Sequence, residues 1–353
     1  MLKNLIVIFL IVFGLATLWV STSTTTMEYL SYNRRGDAWW NTNSWKHGNL
    51  VGMAYLDFVG QFHTPKDVAH KSYARRRGDE KAVLYLFGDS YSWPLRDSDF
   101  ANIASFQFTN RYQGGKYSLD TAKKNILVIE VAERLVLDYF SSVKMKDEFS
   151  ANKESKEVIT GLTKNTEMTV CSLVSIADIS KLFNKRINQN LEYNLFNYNF
   201  LSVIFKLKAI FNYYLFNRAS GDVVISEDRK YLFDKGSVSL SSSSGSYTPI
   251  AQETINDVVN NLNFLYNYYR KEGFNEVYYS IIPSTPSIVQ PKGYNQLIPR
   301  IQNNPGLKIK VLDIYKVLSE QGQDYFCHGD THWNYRGEQK WLDLVNEQLM
   351  KVR

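Results

Sequence analysis

Two cysteines, Cys171 and Cys327, are all that 353 residues hold. They are too few for a disulfide framework and their spacing is not that of a metal site, so they stand as isolated thiols or, in an exported protein, as one pair. Long low-complexity tracts are also missing, which argues against a disordered chain. With 44% hydrophobic and 14% aromatic residues, the composition is that of a packed protein. Charge of one sign is scarce as well: 41 basic against 35 acidic residues leave a formal +6. The one tight basic cluster, Arg75-Arg76-Arg77, reads as a solvated loop, and nucleic acid is not an expected partner. The length admits one large domain, or one domain carrying an insertion.

Charge is missing altogether from Leu5 to Val20, with Lys3 before this run and the polar stretch Ser21 to Thr26 after it. As a helix the run would span about 24 Å, short of the roughly 30 Å hydrocarbon core. Residues 1–26 therefore read as an export signal or a signal anchor. The lack of a small-x-small cleavage site before Ser21 favours the anchor over cleavage, and over a core helix at the start of the chain. The lone positive charge places the N-terminus inside and residues 27–353 outside.

The rest of the chain alternates strands with helices. Tyr29 to His70, rich in Trp, Tyr, Gly and Asn, is an irregular lead-in. Lys81 to Phe87 and Asn125 to Glu130 are short apolar runs with the look of buried strands, the second leading into a helix over Val131 to Phe140. Residues 144–164 turn polar and mark a boundary, and a helical insertion is expected at about 145–220. Within it, Leu191 to Arg218 is aromatic and broadly helical, read as a packing helix with a membrane-surface or partner-docking helix as the alternative. Val238 to Tyr247 is a flexible serine-rich loop. A helix then runs from an N-cap at Thr248 and Pro249 to Lys271, closed by Gly273. Glu276 to Ile282 and Leu307 to Asp313 are strands, and Trp341 to Met350 is a C-terminal amphipathic helix. This alternation predicts an α/β fold, a mainly parallel sheet covered on both faces, with its site at the carboxyl ends of the strands.

Two motifs carry chemistry. Gly88-Asp89-Ser90-Tyr91 lies just past a strand end, where a tight turn can expose the Ser90 hydroxyl and leave its amide free as an oxyanion donor. A serine needs an imidazole to take its proton and a carboxylate to hold that imidazole's tautomer. His328-Gly-Asp330-Thr-His332-Trp-Asn334 supplies both: in an extended segment Asp330 and His332 point to the same side. Ser90, Asp330 and His332 are the candidate catalytic residues. Asp89, Tyr91, Arg134, Trp333 and Asn334 are candidates for substrate or oxyanion contact; for Arg134 an ion pair with Glu130 is the structural alternative.

Gly88-Asp89-Ser90 together with a C-terminal Asp-x-His resembles the SGNH/GDSL hydrolase superfamily. More narrowly, Asp330-Thr-His332-Trp333-Asn334 is similar to the Asp-x-His-Trp motif of the alginate O-acetyltransferase family of polysaccharide-modifying proteins. Tyr278 to Pro283, Tyr294 to Pro299, Val311 to Asp313 and the Glu130…Glu133-Arg134 segment resemble stretches of that family too. There the Asp-x-His-Trp block precedes the Gly-Asp-Ser block. Here Ser90 comes first, the order of ordinary SGNH hydrolases, and a circular permutation relates the two. The resemblance covers roughly residues 81–140 and 270–345 and implies a three-layer α/β/α sandwich without metal or cofactor. It also implies a polysaccharide acceptor, an acyl donor delivered by a membrane-bound O-acyltransferase partner, and a place in the bacterial cell envelope.

Three other readings compete with O-acetyl transfer. An esterase would use the same serine with water as acceptor. His328, Asp330 and His332 on one strand edge would suit a cation. A non-catalytic glycan-binding or assembly protein would stack sugars on Trp39, Trp40 and Trp45.

Overall fold

The computed structural model of the chain describes residues 2–23, 47–63, 82–110, 117–141, 187–188, 190–191, 200–219, 221–243, 245–321 and 325–351. Arg75 to Arg77, Trp39, Trp40, Trp45, Cys171 and the 144–164 boundary lie outside them. The chain divides into two compact units, residues 1–61 with 159–221 and residues 62–158 with 222–353. Most of the expected insertion thus falls in the unit that also takes the lead-in up to residue 61, while the sheet lies in the other.

In the first unit, Leu2–Thr22 is one continuous helix of 21 residues. Its ends extend past the uncharged run on both sides, which raises its length from about 24 Å to about 32 Å, enough to match the hydrocarbon core. Thr17 Oγ1 and Ser21 Oγ donate to the carbonyls of Phe13 and Thr17, so the polar end stays helical. Its side chains from Leu5 to Val12 stand exposed, as a membrane anchor or a signal sequence requires. A second helix, Phe200–Phe216, belongs to the same unit.

The second unit is built on a five-stranded parallel sheet. Its strands are β1 (Ala82–Gly88), β2 (Ser105–Asn110), β3 (Lys124–Ala132), β6 (Glu276–Ile282) and β7 (Lys310–Val311); β4 (Val223–Ile225) and β5 (Leu232–Asp234) form a separate antiparallel pair. The spatial order is β2-β1-β3-β6-β7. Order reverses between β1 and β3, and such a switch point opens a crevice beyond the strands' carboxyl ends.

Side chains alternate across each strand, and here both faces are buried, so the strands read as continuous apolar runs. Val83, Tyr85, Phe87, Leu127, Ile129, Val277 and Tyr279 pack beneath the helices Glu133–Phe140 and Gln252–Glu272. Leu84, Leu86, Ile126, Val128 and Ile282 face Leu318 of the helix Ile314–Gln321 and Trp341, Leu342 and Val345 of the helix Tyr335–Lys351. Each such side chain, fully buried, contributes about 1.5–3 kcal/mol.

Several boundaries differ from the expectation. The long helix begins at Gln252 with Ala251 at its N-cap, because the Thr248 hydroxyl is spent on the carbonyls of Ser239 and Ser242. Gly273 does close that helix, at φ 109°. The end of the serine-rich stretch is hydrogen-bonded: Ser246 N donates to Ser237 O, and Asn295 Nδ2 donates to the carbonyls of Gly245 and Thr248. Only Lys310–Val311 of the expected last strand joins the ladder, since Leu307 turns back to Asn304 O. The C-terminal helix starts at Tyr335, six residues before Trp341, because Asn334 Oδ1 accepts from the amides of Arg336 and Gly337. β3 keeps its ladder to Ala132, so the helix expected from Val131 starts at Glu133.

Candidate active site

Ser90 sits two residues past the end of β1, at the switch point. The turn is held from below by Glu130 of β3, a fully buried carboxylate whose Oε2 accepts from Asp89 N at 3.0 Å and from Ser92 Oγ at 2.9 Å. A Cβ on Gly88 would lie 2.7 Å from that same Oε2 and 3.0 Å from Ser92 Oγ, so the first glycine of the motif is there to let the carboxylate in. Asp89 Oδ1 accepts from Tyr91 N, and Ser92 N donates back to Asp89 O. Asp89, Tyr91 and Ser92 are buried by this arrangement; Ser90 alone of the four is partly exposed. The Ser90 backbone N–H makes no hydrogen bond to the described residues, as an oxyanion donor should.

The second motif comes from a tight loop rather than an extended segment. Phe326 and Trp333 pair as an isolated antiparallel bridge, and Cys327 N donates to His332 O. Between them the chain turns, so Asp330 and His332 meet by bending: Asp330 Oδ1 accepts from His332 N at 3.0 Å and stands 2.6 Å from His332 Nδ1. A carboxylate only accepts, which assigns the ring proton to Nδ1 and leaves Nε2 as an acceptor. Ser90 Oγ lies 2.8 Å from that Nε2. Serine, imidazole and carboxylate are thus joined in one line across 242 residues of sequence.

The other candidates have definite places. Tyr91 faces inward: its hydroxyl donates to Thr331 O at 2.6 Å, and its ring lies 4.6 Å from that of His332 and edge-on to Trp333 at 5.3 Å. Burial holds the Tyr91 phenol in its protonated form, with the nearby Arg134 guanidinium opposing that shift. Tyr91 and Trp333 therefore brace the loop against the turn, Asp89 braces the turn itself, and Asn334 caps a helix. Arg134 is partly exposed, and its guanidinium acts on the Tyr91 phenol. His328 does not join Asp330 and His332: its ring packs edge-on against Tyr231 at 4.7 Å. Among the described residues no three of His, Cys, Asp and Glu converge as metal ligands.

Two acids went unassigned in the sequence. Glu130 is the bracket under the Ser90 turn. Glu133 is buried where β3 ends, its Oε2 accepting from Ser284 N and Ser287 Oγ at the exit of β6, and burial pushes its carboxyl above the usual range against those hydrogen bonds. A carboxylate inside an apolar strand run such as Asn125 to Glu130 is the signal that could have found the first.

This is a parallel α/β unit with a hydrogen-bonded serine, histidine and aspartate at its switch point. No family model matches the chain, and no curated protein or solved structure matches it.

Proposed function

We propose that the chain is a serine-dependent acyl-transfer enzyme of the SGNH type, acting outside the cytoplasmic membrane on a polysaccharide. The observation that carries this reading is the Ser90 Oγ–His332 Nε2 distance of 2.8 Å, with Asp330 at 2.6 Å from Nδ1. His332 Nε2 takes the Ser90 proton as Oγ attacks an acyl carbonyl; Asp330 holds the imidazolium that results. The oxyanion faces the Ser90 amide. Collapse expels the donor's leaving group with the proton from Nε2 and leaves an acyl ester on Ser90. A sugar hydroxyl then gives its proton to Nε2, attacks that ester, and departs as the acylated sugar with Ser90 restored.

Transfer to a sugar rather than to water is supported by the likeness of Asp330-Thr-His332-Trp333-Asn334 and its flanks to the alginate O-acetyltransferases. An apolar N-terminal helix of spanning length fits work beside a membrane-bound acyl carrier, with that partner delivering the donor. No metal or cofactor is called on in any of these steps. Purified full-length protein given a p-nitrophenyl acetate donor, with and without acidic and neutral oligosaccharides, tests the reading. The expected result is acetylated oligosaccharide at the expense of free acetate. Free acetate alone in every case means an esterase, and no acetyl group on Ser90 under any condition rejects both.

A further inference from the structure

The Phe200–Phe216 helix carries a row of large apolar side chains on the outside. Val203, Ile204, Leu207, Phe211, Tyr214 and Leu215 are each between 47% and 64% exposed. At 100° per residue they form one stripe. The opposite side is packed inward: Ala209 and Tyr213 are buried, the Phe205 ring lies 5.8 Å from that of Tyr55, Lys206, with 12% of its side chain exposed, meets Asp57 at 3.4 Å, and the Tyr213 hydroxyl accepts from Gln61 Nε2 at 2.6 Å. A helix facing water has the reverse polarity. The inward ion pair and hydrogen bond fix the helix about its own axis, so the apolar stripe points outward by construction.

Two further observations say what covers it. The same unit holds Leu2–Thr22, the helix long and apolar enough to cross a membrane, and Asn190 Nδ2 donates to Ser21 O at the end of that helix at 2.9 Å. The sequence around the stripe is basic: from 181 to 218 it holds Lys181, Lys185, Arg186, Lys206, Lys208 and Arg218 against the single acid Glu192. At 17 residues the helix is about 26 Å long, below the hydrocarbon thickness, and its inward ion pair, at Lys206, sits near mid-helix. That combination suits a helix lying along a bilayer and not one crossing it.

We propose that the Phe200–Phe216 helix is a second membrane contact, lying in the headgroup–acyl boundary of a bilayer that bears anionic lipid. Leu207, Phe211 and Leu215 enter the acyl region, and Lys208 and Arg218 lie among the phosphates. Attachment at two points holds this unit at the bilayer surface. The proposal rests on Leu2–Thr22 staying as an anchor and is independent of the acyl-transfer reading.

The test is lipid photolabelling of the full chain in vesicles of phosphatidylcholine and phosphatidylglycerol containing an acyl-chain diazirine phospholipid, with adducts mapped by peptide mass spectrometry. Adducts are expected on the peptides spanning 200–216 as well as on Leu2–Thr22. They are expected to vanish from 200–216, and to stay on Leu2–Thr22, in the Leu207→Ser/Phe211→Ser/Leu215→Ser variant, and to diminish on 200–216 when phosphatidylglycerol is left out. Adducts on Leu2–Thr22 alone in the unaltered chain would overturn the proposal, as would 200–216 adducts that survive the triple substitution.

Discussion

The Ser90 turn and the Asp330–His332 loop meet in one hydrogen-bonded line, yet they are held by different means. Ser90 leaves a central strand and is fastened from beneath by Glu130, a side chain of the neighbouring strand, so its position is that of the sheet. His332 leaves a short loop closed by one bridge and tied to β5 through Leu232 N on His328 O, and its tip meets the first half through the Tyr91 hydroxyl on Thr331 O and the Tyr91 ring on the imidazole. Ser90 stands on the scaffold, while His332 stands on the loop and packs against the Ser90 turn. A defect in the Ser90 turn should therefore reach His332, and a defect in the loop should stay local.

The widest break between the halves comes from removing the reacting groups. On the proposed mechanism, Ser90→Ala and His332→Ala should each lower kcat for acetyl transfer by about 10⁶-fold, and the double variant should fall no further, because the nucleophile and base of one triad act as a unit. Losses that multiply would separate the halves. Asp330→Asn, which no longer offers a carboxylate to Nδ1–H, should cost about 10⁴-fold in kcat.

Gly88→Ala tests the scaffold side. The new Cβ, 2.7 Å from Glu130 Oε2, meets a buried carboxylate held by Asp89 N and Ser92 Oγ. Overpacking of that kind costs about 1–3 kcal/mol, with Tm falling by about 2–4 °C per kcal/mol for a unit of this size. The accompanying loss in kcat should exceed that of any change confined to the loop's own contacts. Tyr91→Phe sharpens the dependence of one half on the other: it keeps both ring contacts and removes the bond to Thr331 O, for about 1 kcal/mol by denaturant titration. The expected sign of its effect is lower kcat at unchanged KM; a purely structural hydroxyl would shift stability and leave kcat alone.

The smallest effect concerns Glu133, which ties the exits of β3 and β6. Its folded carboxyl titrates above its ordinary value of 4.5, so the folded state holds the proton longer than the unfolded chain does. Its contribution is fully present below pH 4.5 and is lost as pH rises through the folded value. Glu133→Gln should flatten the fall in Tm between acid and neutral pH; an unchanged profile would mean that other groups set it.

The sheet was legible where burial on both faces left one signal. Lys81 to Phe87, Asn125 to Glu130 and Glu276 to Ile282 are apolar runs of strand length bounded by polar or turn residues, and all three fall within or one residue beyond β1, β3 and β6. β2, Ser105–Asn110, was missed because an edge strand with Ser, Gln, Thr and Asn offers only two apolar positions, Phe106 and Phe108. The meeting of Ser90, Asp330 and His332 was readable from residue type and chain order. Their geometry was not: the 330–332 loop bends where an extended segment was expected, because the Asp330 carboxylate accepts from the His332 amide as well as from its ring. Glu130 and the bracing by Tyr91 are long-range contacts, and no local pattern announces a contact across 41 or 240 residues. The Phe200–Phe216 helix was legible as a helix, but which way it turned its apolar stripe depended on Lys206 finding Asp57.

The central claim is that Ser90 is a nucleophile activated by His332. Intact-protein mass spectrometry after brief exposure to a fluorophosphonate measures it directly. One adduct per chain, mapped to the peptide carrying Ser90, absent in Ser90→Ala and strongly slowed in His332→Ala, is the predicted result. An unlabelled wild-type chain, or equal labelling of Ser90→Ala, would contradict it.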